Sequence, residues 1–251
     1  MRISKEIREK GFAIVPDILT TARRDELLQF CQSYLRPQAG IRRSRSGGIR
    51  HLFDAIPEAH EIACSGPVAA LVTDILGPNA FPVRGILLDK SASVNWAVPW
   101  HQDLCIAVRE RAEVHGDGPC SVKQSVPHAE APESLLSGML TVRIQLDQCE
   151  PDDGELQVMP GSHRHGRLTD WQIDQLIARH GDSATKCHVA AGGAVVMRPL
   201  LVHASGAART AAHRRIMHIE FAAVDLPAPL VWRWPHAVAE SCRSAVRAAC
   251  F

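Results

Sequence analysis

The strongest constraint on this chain is a change of rhythm near residue 80. Upstream, apolar residues recur at helical spacing. Thr20 and Thr21 offer N-caps for a helix over Ala22–Leu35, in which Leu27, Leu28, Cys31 and Leu35 form one stripe. A second helical region runs from Glu58 to Leu76, with Gly66-Pro67 as an expected interruption and Gly77-Pro78-Asn79 as a stop. A short strand over Gly11–Pro16 precedes both. Downstream, the apolar runs shorten. Phe81–Asp89, Met139–Asp147, Leu156–Met159, Cys187–Ala190, Ala194–Arg198, Leu201–Ala204 and Arg214–Val224 read as strands, parted by turns such as Pro151-Asp152-Asp153-Gly154 and Gly192-Gly193. One helix returns at Asp170–His180, where Thr169 and Gln172 fit a capping box and Gly181 fits a C′ residue. Helices first and short strands after predict a mainly β chain with flanking α-helices, a sandwich or jelly roll.

Length allows this to be one domain, since 251 residues suit a single all-β unit. We divide it into a helical support over 1–78, core strands over 80–224 and a tail over 225–251. Residues 109–138 interrupt the strands with Gly116, Gly118, Pro119, Pro127 and Pro132, and read as a long functional loop or lid. The 28 Lys and Arg against 27 Asp and Glu exclude the basic excess of a nucleic-acid or membrane-surface binder. Arg42, Arg43, Arg45 and Arg50 read as a solvated loop, or as a clamp on an anionic substrate. The eight cysteines show no CxxC pair and read as reduced thiols, for which a cytoplasmic location is the simpler reading. The charged start, Met1 to Glu6, lacks a signal-peptide core, and no apolar run approaches membrane-spanning length.

The chemistry gathers at Trp100-His101-Gln102-Asp103. His101 and Asp103 are two apart, so in an extended segment they share a face. An imidazole and a carboxylate with open positions left over begin the 2-His-1-carboxylate set of non-haem Fe(II) sites. His203 is the candidate for the second histidine, with Ser205 on its face. Distant strands become neighbours in a jelly roll, so the gap of about a hundred residues is no obstacle. Arg214-Arg215 follows, and an arginine can hold a carboxylate by two charge-assisted bonds. Simple alternation puts Arg215 with Met217, Ile219 and Phe221 on the apolar face.

Trp100-His101-Gln102-Asp103, Asp153-Gly154-Glu155 through Pro160-Gly161-Ser162-His163, His203-Ala204-Ser205-Gly206 and Arg214, in that order, resemble the phytanoyl-CoA dioxygenase family of Fe(II)/2-oxoglutarate oxygenases. The likeness spans roughly Gly11 to Val224. It implies a double-stranded β-helix of the cupin-like kind. It also implies iron on His101, Asp103 and His203, and 2-oxoglutarate held by Arg214 (Arg215 in reserve) with Ser205 and Thr141. The implied reaction consumes O2, releases succinate and CO2, and hydroxylates an unactivated C–H bond of a small molecule. Arg143, Lys123, His128 and Trp100 are the candidates for the substrate pocket. Halogenating relatives lack the carboxylate that Asp103 supplies, so hydroxylation is favoured over chlorination. The competing reading is a cupin-like module that binds a metal or ligand without turnover.

Overall fold

The computed structural model describes residues 2–35, 47–92, 94–110, 121–149, 154–209 and 213–234. Its helices are α1 (Arg2–Lys10), α2 (Thr21–Leu35), α3 (Leu52–Ala55), α4 (Pro57–Cys64), α5 (Gly66–Leu76), α6 (Glu133–Ser137) and α7 (Asp170–His180). Its first strands are β1 (Phe12–Val15), β2 (Gly48–Ile49), β3 (Phe81–Ser91), β4 (Val98–His101), β5 (Cys105–Ala107), β6 (Ser121–Lys123) and β7 (Val126–Glu130). They continue as β8 (Leu140–Gln145), β9 (Leu156–Val158), β10 (Thr185–Cys187), β11 (Ala194–Met197), β12 (His203–Ser205) and β13 (His213–Ala222).

Two antiparallel sheets make the body. The larger runs β1-β11-β8-β13-β3-β2, and the smaller runs β10-β9-β12-β4. This is a double-stranded β-helix, as expected. One face of the larger sheet carries Val142, Ile144, Met217, Ile219 and Phe221, which form a core with Ile7, Leu27, Leu52, Ile56 and Val72 from the helices. Gly85 sits on that face because of a neighbour: a Cβ there would come within 2.6 Å of the Phe53 ring of α3. The other face turns toward the smaller sheet and encloses a cavity. Met139–Asp147 therefore departs from the expected half-buried strand. All six residues of β8 are buried, because its polar face looks into that interior rather than into water.

Several local readings hold and several need correction. The break at Gly66-Pro67 separates α4 from α5, with the proline in the first turn, where its missing N–H costs no helical bond. The capping box of α7 is present, with Thr169 accepting from the Gln172 backbone. Gly181 is not left-handed: at φ −56° it continues into a 3-10 turn over Gly181–Ser183. α1 has no counterpart among the expected elements, since its only buried side chain is Ile7. The stretch 109–138 is not a plain loop. β6, β7 and α6 lie within it, and β6 and β7 join β5, just before it, in a third small sheet. Residues 111–120, Arg42, Arg43, Arg45, the turn residues 151–153 and the tail beyond Trp234 lie outside the described residues. Cys31, Cys105, Cys149 and Cys187 are free thiols, whereas Cys64 is disulfide-bonded, against the expectation of reduced cysteines. Among the described residues no helix is long and apolar enough to cross a membrane.

Candidate active site

β12 and β4 are antiparallel neighbours in the smaller sheet, and their register sets His203 directly opposite His101. The fold thus closes the hundred-residue gap by a single strand pairing. Asp103 lies just past the end of β4, where its backbone N–H donates to Pro199 O at 3.0 Å. Its carboxylate oxygens stand 3.6 Å from His101 Nε2 and 3.6 Å from His203 Nε2. One candidate ligand atom from each residue falls within 4.8 Å of the others. Each imidazole is oriented by its own strand. His101 Nδ1 meets Pro99 O at 2.8 Å, and His203 Nδ1 meets Leu201 O at 2.8 Å. With Nδ1–H donating to a carbonyl, Nε2 is left as the lone-pair atom, the arrangement that metal-binding histidines use. Asp103 Oδ2 is buried without a hydrogen-bond partner. A buried oxygen without a donor, faced by two imidazole lone pairs, fits a divalent cation.

Gln102, between the two ligands, holds the segment from the opposite side. Its amide donates to Gly166 O and Leu200 O, and its oxygen accepts from the Leu168 N–H. The electrostatics match a cation site. Burial opposes ionisation of Asp103. The field of His203, the adjacent His101 and the field of His218 outweigh it, so the carboxyl is held well below the usual carboxylate range. Burial depresses His203 to about 4, which keeps its ring neutral. These are the protonation states that metal ligands require.

The triad opens onto a cavity of about 800 Å³ between the sheets. Arg143, Lys123 and Ser205 line it. At one end Lys90, only 2% exposed, donates to Ser205 Oγ at 3.2 Å and to Gly206 O at 2.6 Å. Burial, with the fields of Arg214 and Arg143, lowers the Lys90 ammonium to about 7. Arg143 and Leu156 also border a small adjoining chamber walled by Arg214, Gln145 and Glu155. Arg214 is 1% exposed, and its Nε and one terminal nitrogen are buried without partners. Burial without satisfaction is costly for a guanidinium, and a carboxylate is its natural complement. Arg215 is on the other face, bonded to Asp147 through Nε at 2.8 Å and a terminal nitrogen at 2.6 Å.

Three expected site residues lie elsewhere. Trp100 alternates away from His101 and packs against Met159, Ile173 and Val202, on the side covered by α7. His128 is enclosed in the small sheet, opposite Ala107 and Ser121, with Nδ1 at 2.9 Å from Val126 O. Thr141 is fully buried with an unpaired hydroxyl, but the register sets it beside Glu220, six positions along β13 from Arg214. Lys90, Arg84, His218, Glu220 and Gln102 line the cavity unanticipated. A signal for two of them existed. Arg84 and Lys90 are charged residues spaced by an even number within the apolar run of β3, so they share a face.

A jelly roll carrying two histidines on paired strands of its smaller sheet, with one carboxylate just past the end of a strand, defines a class, the non-haem iron oxygenases. The family model for phytanoyl-CoA dioxygenase (PhyH) matches residues 7–216, and the chain belongs to that family of Fe(II)/2-oxoglutarate-dependent enzymes. Solved structures share the fold. EctD from S. alaskensis, determined with 2-oxoglutarate and 5-hydroxyectoine, superposes with a TM-score of 0.69 at 18% identity, over 93% of this chain and 80% of that one. The non-heme alpha ketoglutarate dependent epimerase SnoN from nogalamycin biosynthesis gives 0.61 at 16% identity, over 91% and 89%. HygX from Streptomyces hygroscopicus, with nickel and 2-oxoglutarate bound, gives 0.63 at 14% identity, over 88% and 86%. No curated protein matches the chain by sequence.

Proposed function

We propose that this chain is a single-domain Fe(II)/2-oxoglutarate-dependent oxygenase that hydroxylates an unactivated C–H bond of a small molecule in the cytoplasm. The observation that carries the reading is the pairing of His203 with His101 beside the unsatisfied Asp103 carboxylate, at a cavity adjoined by a small chamber walled by Arg214, two of whose nitrogens lack partners. His101, Asp103 and His203 would hold the iron, and Arg214, Lys90, Ser205 and Arg143 would receive 2-oxoglutarate. With both bound, the chemistry supplied is oxidative decarboxylation of 2-oxoglutarate to succinate and CO2, coupled to oxidation of substrate by O2. The protein's own part is positional. The Pro99 and Leu201 carbonyls keep the Nδ1 protons of the two histidines and aim Nε2 inward. The Lys90 and Arg214 cations neutralise a dicarboxylate where water is scarce. Asp103 occupies the position that halogenating relatives leave open, which supports hydroxylation.

Anaerobic addition of Fe(II) and 2-oxoglutarate should give the weak visible charge-transfer band of the chelate. Arg214→Ala should weaken 2-oxoglutarate binding by about 3 kcal/mol, roughly a hundredfold, as when one partner of a buried charge pair is removed. The competing reading is a metal-binding module without turnover. It requires that no succinate forms and that Arg214→Ala leaves ligand binding unchanged.

A further inference from the structure

The cavity has a second cationic end that the iron and 2-oxoglutarate do not use. Arg84 and Lys90 lie on the same face of β3, six residues apart. That sets their backbones about 20 Å apart at the usual rise of a strand, and their side chains are held on different partners, Lys90 on Ser205 and Gly206 and Arg84 on Glu220 and the Cys105 carbonyl. Near Arg84 the cavity is also lined by Arg50 and Lys123, and by the carboxylates of Glu220 and Glu130. Both carboxylates are already engaged. Glu220 accepts from Arg84 at 2.9 Å and stands 3.3 Å from His218 Nε2, and Glu130 is paired with Arg167. The side chains of Arg50 and Lys123 have no hydrogen bond or ion pair among the described residues. Arg84 itself is 7% exposed and keeps a buried Nε without a partner. The cations are close enough to feel one another: burial and the field of Arg84 both lower Arg50.

The rim is also built to hold this arrangement. The β6–β7 hairpin turns through Gln124 and Ser125, at φ 49° and 64°. Two consecutive left-handed residues suit the twist of a tight hairpin but normally call for Asn or Gly. Strain of this kind persists where surrounding contacts enforce it. Here the Gln124 amide supplies them. Its oxygen accepts from the Arg50 N–H at 2.9 Å, and its nitrogen donates to Gly48 O at 3.2 Å. The hairpin that carries Lys123 is thereby pinned to the segment that carries Arg50. The cavity wall also carries the aliphatic side chains of Ile86, Leu88, Leu104 and Ile216.

We propose that Arg50 and Lys123, backed by Arg84, bind a carboxylate or phosphate group of the substrate, while its apolar body lies along the aliphatic wall toward the triad. The proposal rests on the oxygenase reading, because only then is the Lys90 end filled by 2-oxoglutarate. The test uses the full-length protein with saturating Fe(II) and 2-oxoglutarate, without oxygen, titrated calorimetrically with octanoate, octyl phosphate and neutral octanamide. At least one anion should bind ten times or more tighter than octanamide, and the tighter of the two anions identifies the group. Arg50→Gln and Lys123→Gln should each weaken that anion about tenfold, with Arg50→Lys retaining most of the affinity. Octanamide binding and 2-oxoglutarate Kd should change less than twofold, which also reports that the variants are folded. Absence of anion binding, equal binding of octanamide, or variants that bind the anion like the parent would each overturn the proposal. A failure of the oxygenase reading shows separately, as no 2-oxoglutarate binding in the parent protein.

Discussion

The two faces of β13 do opposite work with one backbone. One face presents Met217, Ile219 and Phe221 to the helices, all at or below 1% exposure. The other presents Arg214, Ile216, His218 and Glu220 to the interior between the sheets, and these are buried too. Buried apolar groups need nothing further, whereas buried polar ones need partners. On the first face the buried polar residue, Arg215, has its partner in Asp147, and His213 at the strand's exposed end has one in Asp89. On the second, Glu220 has two partners and Arg214 has nitrogens with none. An unsatisfied charge inside a well-packed protein is a stability cost, and a ligand that pairs with it relieves that cost. The difference between the faces therefore separates residues that hold the fold from residues that wait for a ligand.

The sharpest way to break this division is at Phe221. Phe221→Ala should lower unfolding free energy by about 3–5 kcal/mol, the usual cost of deleting a fully buried aromatic. Chemical denaturation would measure it, and 2-oxoglutarate Kd of the folded fraction should be unchanged. A shift in Kd comparable to that from Arg214→Ala would mean that the two faces are not independent.

The same strand explains what was legible in advance. Alternation along Arg214–Val224 correctly sorts its side chains into two faces, and the residue order His101, Asp103, His203, Arg214 points to the site. Alternation cannot say which face is the pocket. "Apolar" suggests "inward", yet in a two-sheet fold with helices outside, both faces of the larger sheet are interior. That is why β8 is buried on both sides and why Arg215, on the apolar face, lies away from the cavity. Sharing a face with Arg143 likewise does not fix how far along the sheet Thr141 lies from Arg214, since its register partner on β13 is Glu220. The roles of Lys90 and Gln102 are not written in their local sequence because they come from distant partners, Ser205 and Gly206 for one, Gly166 and Leu200 for the other. The strands β6 and β7 within 109–138 are masked in the sequence by prolines and glycines, which mark turns without revealing the short strands between them.

A second comparison sets the adjacent arginines against each other. Arg215→Ala removes two charged hydrogen bonds to a mostly buried Asp147 and should cost about 2 kcal/mol of stability. Its effect on 2-oxoglutarate Kd should stay within twofold, the reverse of the pattern expected at Arg214. If thermal unfolding is unchanged and 2-oxoglutarate binding falls instead, the assignment of the two arginines must be exchanged.

The smallest effect tests the neighbour of Arg214. Lys90 pairs with Arg214 in the β13–β3 register, so two cations stand side by side in a buried place. Burial first, then the fields of Arg214 and Arg143, bring Lys90 down to about 7. A dicarboxylate arriving there adds negative charge and must raise that value. At pH 8 the free protein holds Lys90 mostly neutral and the complex holds it charged, so binding takes up close to one proton. Below about pH 6 the ammonium is already charged in both states, and the uptake disappears. Affinity is thus greatest on the acid side and falls as pH rises through 7, by at most about tenfold per unit. Calorimetry in buffers of different ionisation enthalpy, with Fe(II) saturating so that the metal ligands keep one protonation state, reads the proton count directly. Lys90→Met should abolish the uptake while leaving unfolding nearly unchanged, because removing an unfavourably buried cation costs the fold little. Binding enthalpies at pH 8 that do not depend on the buffer would place Lys90 outside the ligand's field and leave Arg214 as the sole anchor.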